Sequence, residues 1–153
     1  MTWNRPTIYL SGPMTGMTLA ESMAWRGGAT TLLEDAGFMV LDPLRGLQNT
    51  YGNGDILGGS VDEHMLGLAN HSWFMRDKFD VLQADVLLIN LVGAKAISVS
   101  TVMELAWAHL SGKFSVVAME RDGNPHNHFF VNECACKLVE SPRDGVDYIL
   151  ATF

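Results

Sequence analysis

The stretch DVLLINLV at residues 85–92, followed by SVSTVMELAWAH at residues 98–109, guides the interpretation of the whole chain. The first part is a short apolar run rich in branched residues, which is typical of a buried strand. The second part begins with hydroxyl residues and continues with good helix formers, which predicts a helix after this strand. A buried strand followed by a helix is the repeating unit of an α/β sheet.

The same alternation continues on both sides of this unit. Before it we predict a strand at 7–11, a helix from Leu19 to Ala36 that stops at Gly37, a strand at 38–41, a long irregular loop at 44–60, and helices at 61–70 and 74–83. After it we predict a strand at 114–119, a short helix and a final strand within 129–139, and a last helix with Pro142 at its first position. This pattern predicts a parallel sheet covered by helices on both faces, in a single domain over residues 1–153.

The composition of the chain indicates its class. Hydrophobic residues make up 48% of the 153 residues and charged residues 18%, which predicts a folded chain with a buried core. The net charge is −7 and Lys and Arg do not cluster, so we expect no nucleic-acid partner. We find neither a signal peptide nor an apolar run that could span a membrane, and therefore expect a cytoplasmic protein. Cys134 and Cys136 lack the partners of a zinc site, and we expect reduced thiols, one or both of them as small packing residues.

The start of the helix at 98–109 has two interpretations. A helix N-terminus carries unpaired N–H groups that favour an anion, and open α/β sheets bind ligands at the carboxyl ends of their strands. We place Glu104 in the first turn of this helix, close to such an end. However, Thr101 and Glu104 also match a capping box, in which the glutamate only reaches back to a backbone N–H. This stretch alone favours the capping role.

Other polar motifs are weak when each is considered alone. The turn SGPMTG at 11–16 follows the first strand but lacks the lysine of a phosphate-binding P-loop. Asp77, on the helix that leads into the central strand, is expected to be a solvated charge. His126 and His128 have no carboxylate or thiolate cluster at metal-ligand spacing, so no metal site is expected. Trp73 is expected to be a packing residue, although its place near the long loop would also allow contact with a base.

Four stretches together resemble the nucleoside 2-deoxyribosyltransferase family and its nucleoside 5′-monophosphate N-hydrolase relatives. They are IYLSGPM at 8–14, LLEDAGFMVLDP at 32–43, RDKFDVLQADVLLINL at 76–91 and SVSTVMELAWA at 98–108. The order and spacing of these four stretches match those of the family over most of the chain. The resemblance implies a flavodoxin-like (Rossmann-like) five-stranded sheet in the order 2-1-3-4-5, no metal or organic cofactor, and a homodimer or larger assembly whose subunits share their sites.

The resemblance also implies three catalytic residues. Glu104 matches the nucleophile, Tyr9 matches the tyrosine that steadies its carboxylate, and Asp77 matches the acid that hydrogen-bonds the base and helps to protonate it. Cleavage of the C1′–N bond builds positive charge on the sugar and negative charge on the base. A carboxylate under the sugar and a proton donor at the base meet both demands.

Ser98 separates the two branches of the family. The transferases carry an aspartate six residues before the nucleophile, where it accepts the 5′-hydroxyl of the sugar, whereas the hydrolases carry a serine that donates to a 5′-phosphate. Because a hydroxyl at a helix N-terminus suits phosphate, hydrolysis of a (2′-deoxy)nucleoside 5′-monophosphate is slightly favoured over base transfer. A third hypothesis is a nucleotide-binding module without turnover. The presence of Tyr9, Asp77 and Glu104 together argues against it.

Further residues are assigned to substrate binding by the same resemblance. They are Gly12, Pro13, Met14, Ser100 and Thr101 and, from a neighbouring subunit, Asn127 and His128. The chain departs from the hydrolase pattern at Pro13 and Thr15, where that branch often uses serine and arginine for phosphate. It also departs at Ser100, where glycine is usual.

Overall fold

The computed structural model describes residues 5–49, 51–58 and 70–153. Within them lie the strands β1 (Thr7–Ser11), β2 (Met39–Leu41), β3 (Val86–Asn90), β4 (Phe114–Ala118) and β5 (Lys137–Val139). The helices are α1 (Leu19–Asp35), α2 (Asn70–Gln83), α3 (Val99–Leu110), α4 (Phe129–Cys134) and α5 (Pro142–Thr152), with a short 3-10 helix at Leu47–Asn49. All strand pairs are parallel and the order is β2-β1-β3-β4-β5. This confirms the predicted flavodoxin-like α/β sheet.

The strand side chains alternate between two core layers. The layer under α2 and α3 contains Tyr9, Leu87, Ile89, Val117, Val81 and Leu105. The opposite layer, under α1 and α5, contains Ile8, Leu10, Val86, Leu88, Val116, Leu33 and Ile149. Successive strand residues point to opposite faces, so a strand covered on both sides must be apolar at every position. The continuous apolar run at 85–92 has this physical origin.

Helix ends follow local chemistry. The Thr18 side chain accepts a hydrogen bond from the Glu21 N–H, and the Glu21 carboxylate accepts one from the Thr18 N–H, which is a capping box at the start of α1. After α1, Gly37 has φ +88°, a left-handed conformation that favours glycine, so the predicted stop is correct. Pro142 occupies the first turn of α5 after the N-cap Ser141, as predicted.

Two predictions about the middle of the chain differ from the structure. Helix α2 begins at Asn70 rather than near Phe74. The sequence does not reveal this start, because the first turn is polar and exposed apart from Trp73 and shows no apolar period. The predicted irregular loop contains the 3-10 helix, and it contributes Leu44, Leu47 and Leu57 to a third core cluster with Leu19 and Trp73. Residues 50, 59 and 60 of the predicted loop and residues 61–69 of the predicted helix at 61–70 lie outside the described residues.

The expectations about membrane spans and cysteines concern the same described ranges. No helix there has the length and apolar character needed to cross a membrane. Both cysteines are free thiols. Cys134 is partly buried against the core layer under α3, whereas Cys136 is exposed, so the expected packing role applies to Cys134.

The topology brings two strand ends together. Ser11 of β1 pairs with Ile89 of β3 at their carboxyl ends. From β1 the chain passes through α1 to β2 on one side, and from β3 it passes through α3 to β4 on the other side. The connections therefore diverge between β1 and β3. Open α/β sheets bind ligands in the crevice at such a reversal.

Candidate active site

A cavity of about 960 Å³ lies beside the carboxyl ends of β1 and β3. Its walls come from the β1–α1 turn, from α2, from residues 92–97 and from the first turns of α3. Six of the residues that the sequence assigns to the site line this cavity: Pro13, Met14, Asp77, Ser98, Ser100 and Glu104. Residues that are distant in sequence are thus brought to one concave surface.

Glu104 is held by two hydroxyl groups from β1. The Tyr9 hydroxyl donates to Glu104 Oε1 at 3.0 Å, and the Ser11 hydroxyl donates to Oε2. Tyr9 and Ser11 are two positions apart on a strand, so both side chains point to the face that α3 covers. Sequence reasoning named Tyr9 but missed Ser11, whose only signal is its alternation with Tyr9. The carboxylate is therefore fixed on both oxygens.

The capping role for Glu104 is wrong. The N-cap of α3 is Ser98, whose side chain accepts from the Thr101 N–H, so the cap lies three residues before the predicted one and the helix begins at Val99. Glu104 consequently lies in the second turn rather than the first. There its side chain faces β1 and is only 7% exposed. The serine cap already serves the N-terminus, which leaves the glutamate free for other contacts.

Asp77 is a buried acid, so the expectation of a solvated charge is wrong. It is 7% exposed, because Trp73, one turn earlier on α2, packs beside it. The Trp73 indole Nε1 donates to Asp77 Oδ2 at 2.7 Å, and Arg76 Nη2 lies 3.6 Å from Oδ1. Burial raises the pKa of Asp77 from 3.8 to about 6, while Arg76 and the Trp73 hydrogen bond act in the opposite direction.

The electrostatics of Glu104 follow from the same burial. Burial raises the pKa of Glu104 from 4.5 to about 7, the Asp77 charge adds to the rise, and the hydrogen bonds from Ser11 and Tyr9 oppose it. Burial, together with the Glu104 charge, also raises the pKa of Tyr9 well above its usual value. Tyr9 therefore stays a donor at neutral pH. Two acids with raised pKa values in one cavity are suited to acid–base and nucleophilic chemistry near pH 7.

The start of α3 is anchored by the segment after β4. The Ser98 N–H donates to His126 Nε2 at 2.8 Å, and His126 Nδ1 lies 3.2 Å from Asn124 Oδ1. Burial lowers the pKa of His126, so its ring is neutral and Nδ1 is the protonated nitrogen that donates to Asn124. The Ser98 hydroxyl also lies 2.9 Å from the Thr101 hydroxyl. Sequence reasoning weighed His126 only as a metal ligand and missed this contact, which no local pattern reveals.

The β1–α1 turn is held from behind by a buried arginine. Arg26 of α1 is 0% exposed; its Nη2 donates to the Gly12 carbonyl at 2.9 Å, and its Nε lies 3.7 Å from Asp42 Oδ1. Gly12 itself does not line the cavity, but a Cβ there would lie 2.7 Å from the Asn90 carbonyl oxygen, so the turn requires glycine. Arg26 was missed because an arginine in a helix is usually a surface residue.

Asn127 and His128 lie away from the cavity. Both are exposed, and neither belongs to its lining. His128 is the N-cap of α4 and accepts from the Phe130 N–H at 3.2 Å, with its ring 4.7 Å from that of Phe129. Their assignment to a neighbouring subunit's site remains a prediction. Thr101 also lies outside the lining, where its hydroxyl supports Ser98.

The donor sets in the described ranges bear on metal binding. No group of three or more His, Cys, Asp or Glu side chains in these ranges is arranged to hold a metal ion. The cavity presents the carboxyl groups of Asp77 and Glu104 and the hydroxyl groups of Ser98 and Ser100.

Comparisons with known proteins identify the fold. No protein-family model matches the chain, and no curated protein matches its sequence significantly. A 2-deoxyribosyltransferase from Bacillus psychrosaccharolyticus has a similar structure with a TM-score of 0.66 and 19% identity, covering 95% of this chain and 94% of that one. A CMP N-glycosidase from Clostridium botulinum has a TM-score of 0.58 and 11% identity, covering 94% and 97%. A molybdenum cofactor binding protein from Rippkaea orientalis has a TM-score of 0.57 and 20% identity, covering 98% of both chains.

Proposed function

We propose that this protein cleaves the N-glycosidic bond of a (2′-deoxy)nucleoside 5′-monophosphate through a covalent glycosyl–Glu104 intermediate that is released to water. The observation that carries the proposal is the buried Glu104 carboxylate, fixed by Tyr9 and Ser11 in a cavity that Asp77 also lines. The fold shared with a 2-deoxyribosyltransferase and a CMP N-glycosidase supports it.

In the first step an oxygen of ionised Glu104 attacks C1′. The C1′–N bond breaks, its electron pair leaves with the base, and protonated Asp77 donates its proton to the base. In the second step a water molecule attacks C1′, its proton passes to the Asp77 carboxylate, and the ester oxygen returns to Glu104 as a carboxylate. Two displacements at one carbon retain its configuration, as in retaining glycosidases.

The hydroxyls of β1 have a defined task in this scheme. Burial would leave Glu104 mostly protonated at neutral pH, and a protonated carboxyl group is a poor nucleophile. Tyr9 and Ser11 both donate to the ionised form, which lowers its pKa towards the working range. They also hold the carboxylate in one orientation, which reduces the cost of reaching the attacking geometry.

We assign the phosphate to the start of α3. The Ser98 Oγ accepts from the Thr101 N–H, so its own hydrogen can be donated to a phosphate oxygen. Ser100 lines the cavity beside it, and the helix N-terminus supplies a favourable partial charge. Pro13 and Met14 also line the cavity, at the turn that Gly12 makes possible.

We also propose a homodimer or larger assembly in which Asn127 and His128 reach the 5′ end of a substrate in the neighbouring subunit. The support is the apolar surface beside them. Phe129 and Phe130 are 63% and 68% exposed on α4. Large apolar side chains exposed side by side are typical of interaction sites.

Two alternatives are tested by the same assay. Transfer of the 2-deoxyribosyl group to another base uses the same first step. It is the second candidate function, and the fold shared with a 2-deoxyribosyltransferase, at a TM-score of 0.66, supports it. A nucleotide-binding module without turnover is favoured only by the likeness to the molybdenum cofactor binding protein. Binding alone does not need a buried carboxylate held by two hydroxyls, since burying an acid costs free energy.

The experiment is a product assay with a panel of nucleosides and their monophosphates, with and without acceptor bases, followed by chromatography. We expect free base and sugar phosphate from monophosphates, and no turnover by Glu104→Gln. New nucleosides formed only when an acceptor base is present would favour transfer. Binding of nucleotides without any product from the unmodified protein would refute the enzymatic proposal in favour of the binding module.

A further inference from the structure

We propose that Trp73 is the positioning residue for Asp77: its indole N–H holds one carboxyl oxygen and thereby fixes the transferable proton on the other. This inference rests on the proposed function, because it assigns Asp77 a proton to transfer. It goes beyond that function in identifying a residue that sets the orientation and the proton position of the acid.

The indole ring is immobilised on several sides. Trp73 is 9% exposed and packs with Leu19, Leu44, Leu47 and Leu57. The Arg76 guanidinium lies 4.6 Å from its ring centroid, and Arg76 Nη2 donates to the Pro43 carbonyl at 2.7 Å. The ring is therefore fixed between the loop after β2 and α2. Because the ring is fixed, its N–H group points in one direction. It donates to Asp77 Oδ2, with 2.7 Å between Nε1 and that oxygen.

The position of the proton follows from the chemistry of the indole. An indole N–H is a donor only, so it pairs best with the carbonyl oxygen of a neutral carboxyl group. With Oδ2 in that role, the proton of Asp77 is carried by Oδ1. Within the described residues Oδ1 is buried and has no hydrogen-bond partner, and Arg76 Nη2 is 3.6 Å away. A base in the cavity is the partner that would satisfy it.

Other charged and titratable groups also face Asp77, and they must be separated from Trp73. They are Arg76 and Asp80 on α2, Arg45 after β2, Glu104 on α3, Tyr9 on β1 and Arg26 on α1. Arg45 is paired with Asp80, with Nη2 2.6 Å from Oδ2. Trp73→Phe removes none of these charges. It removes the N–H and keeps an aromatic face for Arg76.

The first test does not depend on turnover. The protein has four tryptophans, so its indole 1H–15N spectrum is simple, and the Trp73 signal is assigned as the one missing in Trp73→Phe. Because burial raises the pKa of Asp77 to about 6, the Trp73 signal should shift with pH with a midpoint near that value. In Asp77→Asn this titration should disappear. A Trp73 signal that is independent of pH in the unmodified protein would overturn the inference.

The second test uses the pH dependence of kcat/KM, which reports the ionisations of the free enzyme. The active form carries one proton, on Asp77, with Glu104 ionised, whereas the pKa values of about 6 and about 7 place that proton mainly on Glu104. Activity should still be highest between about pH 6 and pH 7, and the lower of the two pKa values, which sets the acid limb, follows Asp77. Without the Trp73 N–H the Asp77 anion loses a donor and its pKa rises. In Trp73→Phe the acid limb should therefore move up by about one pH unit. The maximal kcat should fall about tenfold, with KM changed much less, because the acid is no longer held.

Trp107→Phe is the matched control. Trp107 lines the same cavity and packs edge-on against Phe74, with ring centroids 5.4 Å apart. Whatever this change does to KM, it should leave the acid limb and the titration of the Trp73 signal in place. An acid limb of the kcat/KM profile that moves equally in Trp73→Phe and Trp107→Phe, or that moves in neither, would contradict the role of Trp73. Absence of turnover by the unmodified protein would refute the proposed function instead, and the indole titration would still decide the Trp73–Asp77 interaction.

Discussion

Glu104→Gln should make the protein more stable at alkaline pH. A carboxyl group whose pKa is raised by folding binds its proton more tightly in the folded state. The free energy of unfolding therefore falls as pH rises between the unfolded and folded pKa values. For Glu104 that window runs from 4.5 to about 7, which corresponds to about 3 kcal/mol. Glutamine has no charge and should remove this loss.

The hydrogen bonds are already contained in this figure. The Tyr9 and Ser11 hydroxyls donate to the ionised carboxylate and lower its pKa, and the value of about 7 is what remains after they oppose burial. The variant should therefore match the unmodified protein near pH 4.5 and exceed it by about 3 kcal/mol at pH 8, which is roughly 6–12 °C in Tm for a chain of this size.

Thermal and urea unfolding of both proteins at several pH values would measure this difference. Glu133→Gln makes the same change on the exposed surface of α4, away from the cavity, and is the matched control for the loss of a carboxylate. The electrostatic account of the site would be refuted by a Glu104→Gln variant that is equally stable at every pH, or less stable at pH 8. Activity should be abolished in Glu104→Gln and kept in the control.

Three further substitutions test other parts of the site. Asp77→Asn should slow cleavage about 10²–10⁴-fold, and an activated leaving group should restore much of the rate; equal losses for natural and activated substrates would exclude proton transfer by Asp77. Ser98→Asp keeps a good N-cap, so stability should not change, while kcat/KM should shift from the monophosphate to the nucleoside; an unchanged ratio would end the phosphate assignment. His128→Ala should raise KM without unfolding the protomer, and a fully active monomer on sizing would contradict a shared site.

The fold could be predicted because its signals are local. The apolar run at 85–92, the turn after Ser11 and the stop at Gly37 are each read from a few neighbouring residues, and the structure agrees with them. The order of the strands was implied by the resemblance. Helix α2 shows the limit of this approach, since its first turn is polar apart from Trp73 and shows no apolar period in the sequence.

The site was less predictable because its contacts are long-range. Glu104 was mistaken for a cap on local grounds, since both Ser98 and Thr101 can cap and only folding selects Ser98. Its hydroxyl donors lie more than 90 residues earlier in the chain. Arg26 and His126 are polar residues that folding buries, and nothing in their immediate neighbours distinguishes them from surface residues.

The central claim is that Glu104 becomes covalently bound to the sugar, and mass spectrometry of the intact protein tests it most directly. A 2′-fluoro-arabino nucleoside 5′-monophosphate is a suitable probe, because its fluorine destabilises positive charge on the sugar and slows release of the intermediate. We predict a mass increase of one sugar phosphate per chain, mapped to the peptide that contains Glu104 and absent in Glu104→Gln. Release of the base from this probe without any adduct, or an adduct on another residue, would contradict the mechanism.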